Sequence, residues 1–261
     1  MSSILIPTLW IGGVAAICGA ALALAARFFG VEEDPRVLQV VDTLPGSNCG
    51  GCGYAGCLDY ARAMVKNNAP TNLCTPGGPS VAAKLAEMLG GQSLGFVKRV
   101  AQVLCCGNNT VAKKRFAYNG IADCAAAATT AGGDKGCTYG CLGYGSCARV
   151  CPTNAIAIVD GLAKVQTELC IACGKCVAAC PRRIIKLVPA EREIHVRCSN
   201  KDKGPAVKPV CSTGCIGCRI CVKLSDGAIN MDGFLAVVDY GKPLTNEEVV
   251  AKCPAKCIQK G

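Results

Sequence analysis

The sequence predicts an α+β chain: one N-terminal transmembrane helix, then a series of small cysteine-built domains, the last of which repeats the one before it. Three observations predict this. Residues 4–26 carry no charge. The 23 cysteines of this 261-residue chain fall into closely spaced groups. An apolar segment with a central Asp-Gly follows two of those groups, at Asp160-Gly161 and at Asp232-Gly233, and that pattern signals a β-hairpin.

The uncharged run comes first. At about 1.5 Å per residue it crosses the ~30 Å hydrocarbon core of a bilayer. Gly12, Gly13, Ala16, Gly19 and Ala20 offer a small-residue face suited to neighbouring membrane helices. A signal peptide would have a basic residue ahead of a shorter apolar run; here no Lys or Arg precedes it. Arg27 follows the run, which directs the C-terminal side to the cytoplasm; the acidic Glu32, Glu33 and Asp34 count for little in that rule. Residues 1–30 are therefore expected to be a retained single-pass anchor in the cytoplasmic membrane. Cys18 within it reads as a small apolar residue.

The odd cysteine count and the C-x2-C grouping argue against a disulfide scaffold. Cys170, Cys173, Cys176 and Cys180, followed by Pro181, are spaced C-x2-C-x2-C-x3-C-P. That is the bacterial ferredoxin run, in which three thiolates hold one [4Fe–4S] cluster and the fourth reaches a neighbouring one. A zinc site would show paired halves and no fourth Cys-Pro. The tail at Cys180 is expected to start a helix. Upstream, Cys137, Cys141, Cys147 and Cys151-Pro152 form a widened first half. The crossover rule assigns Cys151, Cys170, Cys173 and Cys176 to one cluster and Cys137, Cys141, Cys147 and Cys180 to another. Cys137 is the member whose spacing departs from the pattern.

Cys49, Cys52, Cys57 and Cys74 make a further complete four-thiol set, with helical spacing over 58–67 and a short amphipathic helix over 81–89. Past the hairpin at Asp160 the module partly repeats. Cys215, Cys218, Cys221 and Cys253 form a fourth set, and Ser225 stands where Cys151 stood. Residues 245–248 read as a capping box. Five cysteines remain besides Cys18 and Cys257: Cys105, Cys106, Cys124, Cys198 and Cys211. Val103-Leu104-Cys105 resembles Val196-Arg197-Cys198, so Cys105, Cys124, Cys198 and Cys211 form a candidate fifth set. Ordinary thiols are the alternative, and the choice between Cys105 and Cys106 is open. At least three [4Fe–4S] clusters are expected, and four or five if every set is filled.

The formal charge of +10 invites a nucleic-acid partner. Each four-thiolate [4Fe–4S] centre carries about −2, so five would bring the loaded chain near neutrality. No RNA-binding aromatic motif is present. The basic residues then serve as counter-charges or as a face for an acidic electron carrier. No Walker loop, dinucleotide fingerprint or serine nucleophile motif appears, so no organic catalytic site is expected. His195 sits in a strand-like segment and reads as a satisfied histidine.

Together the membrane helix, the Cys49–Cys74 unit and the Cys137–Cys180 module resemble the B subunit of the Rnf complex, a membrane ion-translocating ferredoxin:NAD⁺ oxidoreductase. The resemblance covers nearly the whole chain. It implies a cytoplasmic electron wire that exchanges electrons with soluble ferredoxin. It also implies a flavin- and NADH-binding partner subunit and integral membrane subunits that move Na⁺ or H⁺. The C-terminal degenerate repeat departs from it. The fold class is thus an anchor (1–30), a small 4Fe–4S domain (31–92), a connecting segment (93–132), a two-cluster ferredoxin-like module (133–192) and a degenerate one-cluster repeat (193–261). Two rivals are weighed. A labile-cluster sensor would have one exposed site rather than several complete ones. A soluble corrinoid-protein partner would lack the apolar span.

Overall fold

The computed structural model describes residues 2–28, 34–90, 95 and 97–261. Glu32, Glu33 and the boundaries drawn at 30 and 92 lie outside the described residues. Helix α1 (Ser2–Phe28) is continuous. Its stretch Thr8–Ala25 is long and apolar enough to cross a membrane. Leu9, Trp10, Ile11, Val14, Ile17 and Leu22 are all exposed along it. Over Thr8–Ala25 the helix is apolar and unburied among the described residues, which suits hydrocarbon surroundings.

The first cysteine domain is three helices. Helix α2 (Pro35–Thr43) was not among the elements expected from the sequence, although its start is well marked. Pro35 occupies the first turn, and Asp34 caps the helix by accepting the Arg36 backbone N–H. It buries Val37 and Val40. Helix α3 (Cys57–Asn67) stops where Asn68 turns left-handed. Helix α4 (Gly78–Met88) begins earlier than the 81–89 read from the pattern and is a packing element. Its Leu85 shares a core with Val37, Val40, Tyr60 and Cys74.

The central module runs β1 (Arg99–Val103), α5 (Cys124–Thr129), α6 (Ser146–Arg149), β2 (Ile156–Val159), β3 (Leu162–Val165), α7 (Lys175–Ala179) and β4 (Ile185–Pro189). The Asp160-Gly161 turn joins β2 to β3 as an antiparallel hairpin. Strand β1 pairs antiparallel with β4, Ala101 opposite Leu187. The segment 93–132, read as a connection, therefore supplies a strand and helix α5 to this module. The helix expected to start at Cys180 is instead α7, which runs from Lys175 through Cys176 to Ala179 and ends at Cys180. Cys180 is extended, as the ring of Pro181 demands of the residue before it.

The C-terminal module repeats this order with β5 (Ile194–Val196), α8 (Gly204–Val207), α9 (Ile220–Lys223), β6 (Ile229–Asp232), β7 (Leu235–Val238), α10 (Glu248–Ala251) and β8 (Ile258–Lys260). Strands β6 and β7 form the second hairpin, and β5 pairs antiparallel with β8 as β1 does with β4. The likeness extends to single bonds. Cys151 Sγ accepts the Ala155 N–H (3.3 Å), and Ser225 Oγ accepts the Ile229 N–H (3.0 Å). The capping box over 245–248 does not form. Asn246 Oδ1 takes the Glu248 N–H instead (3.0 Å), and the cap residue Glu247 makes no side-chain cap bond.

Candidate metal centres

Cys49, Cys52 and Cys57 lie on one glycine-rich loop, and the buried Cys74 faces all three. Two side chains build this arrangement. Asn48 Oδ1 accepts the Cys57 N–H (2.8 Å) at the start of α3. Tyr60, almost fully buried, donates its hydroxyl to Pro70 O (2.6 Å) and accepts the Leu73 N–H (3.2 Å). That pair of bonds returns the chain to Cys74.

Cys151, Cys170, Cys173 and Cys176 line one pocket of the central module. Backbone N–H groups point at its sulfurs: Ala101 (3.3 Å) and Ala172 (3.4 Å) at Cys170, and Ala155 at Cys151. Strand β1 thus reaches over this site. The neighbouring pocket holds Cys124, Cys141, Cys147 and Cys180. Cys137, assigned there from spacing, is absent from its lining, and Cys124 takes the place. The cause is local. Asp123 caps α5 by accepting the Ala125 (2.8 Å) and Ala126 (3.0 Å) N–H groups. The same carboxylate accepts the Ser146 hydroxyl (2.7 Å), and Ser146 Oγ accepts the Cys124 N–H (2.7 Å). Cys124 is thereby pinned to α6, which carries Cys147. In the repeat, Cys218 lies between Cys215 and Cys221; the stretch between Cys141 and Cys147 has no cysteine. That gap was the available signal for a ligand from elsewhere. Gly143 in that stretch has φ +82°, and a Cβ there would collide with Gly161 O, so the loop closes only with glycine.

The C-terminal pocket is lined by Cys215, Cys218, Cys221, Cys253 and also Cys257, which was set aside in the sequence. Cys257 Sγ is 3.7 Å from Cys253 Sγ. A hydrogen bond from Cys257 pulls Cys253 down to about 5 and Cys215 to about 6 and pushes Cys257 itself up. A last pocket, between the two modules, is lined by Cys105, Cys106, Cys137, Cys198 and Cys211. Of the fifth set expected from the sequence, Cys124 is not there.

Every cysteine is unpaired. Among the described residues, no three of His, Cys, Asp or Glu are placed to hold a single metal ion. The four thiol pockets above contain no carboxylate. Burial pushes Cys147 up to about 12 and Cys176 and Cys221 to about 11. Thiols this hard to ionise need a cation beside them before they carry charge. Sulfur donors, N–H groups aimed at sulfur and pockets free of carboxylates together fit iron–sulfur clusters. The Cys49–Cys74 set adjoins the Cys151–Cys176 set. A Cβ on Gly51, in the Cys49–Cys57 loop, would lie 3.4 Å from Ala172 O and from the Cys173 backbone.

His195, on β5, is buried and shares a 2.9 Å hydrogen bond between Nδ1 and the Tyr240 hydroxyl. It is a satisfied core histidine.

Comparison with known proteins agrees with this chemistry. A family model described as "Putative Fe-S cluster" matches residues 44–76, and one described as "LdpA Fe-S cluster-binding domain" matches 137–191. The B subunit of the Na(+)-translocating ferredoxin:NAD(+) oxidoreductase complex of Acetobacterium woodii is 46% identical over 99% of this chain and 78% of its own length. The B subunit of the ion-translocating oxidoreductase complex of Methanosarcina acetivorans is 40% identical over 99% of both chains. The B subunit of the proton-translocating ferredoxin:NAD(+) oxidoreductase complex of Clostridium ljungdahlii is 43% identical over 93% of this chain and 87% of its own.

Proposed function

Because this chain belongs to the family of B subunits of ion-translocating ferredoxin:NAD(+) oxidoreductase complexes, we propose that its thiol sets hold [4Fe–4S] clusters that relay electrons between soluble ferredoxin and the other subunits of such a complex. The sets are Cys49, Cys52, Cys57 and Cys74; Cys124, Cys141, Cys147 and Cys180; Cys151, Cys170, Cys173 and Cys176; and Cys215, Cys218, Cys221 and Cys253. When bound, each cluster supplies a one-electron redox centre. The protein supplies the rest. The thiols would give up their protons to solvent as their sulfurs ligate iron, backbone N–H groups such as those of Ala101 and Ala155 stabilise the ligating sulfurs, and apolar walls keep water away.

The observation that carries this reading is the contact of the Gly51 loop with the Ala172–Cys173 backbone. It brings separate cysteine domains into direct contact, as conduction between them requires. Helix α1 holds the assembly at a membrane, with the cysteine domains on the cytoplasmic side. Cys218 is exposed beside the exposed Arg219 and Lys223, a basic surface fit for an acidic carrier such as ferredoxin. Flavin- and NADH-binding and integral membrane subunits complete the complex.

The test is reduction of the anaerobically purified full chain by reduced ferredoxin, followed by visible bleaching and by spin counting. Wild-type protein should accept several electrons per chain. Cys173→Ala should lower the iron content and the electron uptake together. A chain that binds iron yet takes no electrons from ferredoxin would overturn the relay.

A further inference from the structure

We propose that Cys105, Cys137, Cys198 and Cys211 bind a fifth [4Fe–4S] cluster between the two modules, four thiols losing their protons as four Fe–S bonds form. This goes beyond the four sets above and rests on the same iron–sulfur reading.

The pocket between the modules is built with near two-fold symmetry. Cys105 follows β1 and Cys198 follows β5 at the same spacing. The Cys141 N–H donates to Cys105 Sγ (3.4 Å), and the Cys215 N–H donates to Cys198 Sγ (3.3 Å). Cys137 precedes Cys141, and Cys211 precedes Cys215, by four residues each. Each module thus contributes the same pair of thiols. The sulfurs crowd the same space. A Cβ on Gly140 would lie 3.5 Å from Cys137 Sγ and 3.6 Å from Cys105 Sγ. A Cβ on Gly107 would lie 3.5 Å from Cys105 Sγ and 3.7 Å from Cys211 Sγ, joining one module's ligand to the other's.

The symmetry also decides between the adjacent cysteines. Cys106 Sγ donates to Arg197 O (3.2 Å), and Ser199 Oγ donates to Leu104 O (2.8 Å). Cys106 and Ser199 are matching clasps between the modules, and one of them is not even a thiol. Cys106 is therefore a positioning residue and Cys105 a ligand.

The surroundings suit an anionic cluster. Asn200, almost fully buried in the second module, donates its side-chain N–H to Cys137 Sγ of the first (3.4 Å). Lys135 is buried at the pocket and donates to Gly107 O (2.8 Å) and Gly161 O (2.7 Å), a fixed positive charge. Arg197 Nε is buried there with no protein partner. No carboxylate lines the pocket. Residues 111–114 bind the modules together around it: Lys113 N–H donates to Val210 O (3.0 Å) and Gly136 N–H to Lys113 O (2.7 Å). The cluster would share a hydrogen-bonded backbone with the second set through Cys141 and with the fourth through Cys215. That placement joins the central module to the C-terminal repeat.

The test is iron and acid-labile sulfide per chain on anaerobically purified full-length protein. About twenty irons are expected, five cubanes of four. Cys137→Ala and Cys198→Ala should each lose about four, and the double variant no more than either. Loss of one iron with a new three-iron spin signal carries the same meaning. Cys106→Ser should keep full iron. About sixteen irons in the wild type, with both single variants unchanged, would overturn the fifth site and leave the four-cluster relay standing. Near-zero iron would overturn the relay itself. Iron loss in Cys106→Ser but not in Cys105→Ala would overturn the ligand assignment.

Discussion

Tyr60→Phe isolates one hydroxyl that holds the first thiol set together. The ring stays, together with its packing on Tyr54 at a centroid distance of 5.3 Å. What goes is the bond to Pro70 O and the partner of the Leu73 N–H. Burial keeps the Tyr60 phenol up at about 12, so the group is a neutral donor throughout the working pH range. An unsatisfied buried polar group costs about 1–3 kcal/mol. Pro70 is exposed and its carbonyl regains water, whereas Leu73 is half-buried. The net cost falls on the Leu73 N–H and is about 1.5 kcal/mol, or about tenfold in the opening equilibrium of the loop before Cys74. Local opening governs access to the site. Anaerobic release of iron to a chelator should therefore quicken about tenfold for about four irons per chain, the rest keeping the wild-type rate. Unchanged release, or equal acceleration of all the iron, would refute the claim that this hydroxyl positions Cys74.

Cys124→Ala should lose the second cluster, about four irons, and its loss should add to that of Cys137→Ala, since the two thiols line separate pockets; a non-additive pair would mean a shared site. Gly51→Leu should leave iron content intact but drive the first domain away from Cys173, weakening the magnetic coupling of adjoining clusters in spin-resonance spectra of the reduced protein; identical spectra would remove the contact from the electron path. His195 is held down at about 4, chiefly by burial and then by Arg197, against about 6.5 in an unfolded chain. The unfolded state therefore binds the proton more readily, and stability present above pH 6.5 is lost as pH falls toward 4. Between pH 7 and 5 that loss is about 2 kcal/mol, and His195→Gln should flatten it in denaturant titrations; equal slopes in both proteins would sink the assignment. Mass spectrometry of the mature chain should find the segment before Arg27, and an N-terminus near Ala26 would exclude a retained anchor.

Where three cysteines of a set are spaced C-x2-C-x2-C, the sequence alone determined that they share a pocket. Cys170, Cys173 and Cys176 sit on one short loop, as do Cys215, Cys218 and Cys221, and chain geometry leaves them little choice but to converge. The two hairpins were equally local, because Asp-Gly turns set their own register at Asp160 and Asp232. Helix α2 was missed although Val37, Val40, Val41 and Leu44 stand at helical spacing and share one core and Asp34-Pro35 marked its start; it is only nine residues long. What only the tertiary structure decided was the destination of lone cysteines. Spacing put Cys137 with Cys141 and sent Cys124 to the pocket between the modules, and the fold places them the other way round. Pairing of β1 with β4 and the Asp123–Ser146 hydrogen bonds carry Cys124 to Cys147, while Cys137 turns toward Asn200 of the other module. Cys105 and Cys106 are neighbours along the chain, and both line the pocket between the modules. How each of them is used depends on how the two modules dock, and that is set by contacts some ninety residues apart in sequence, Cys106 to Arg197 and Ser199 to Leu104.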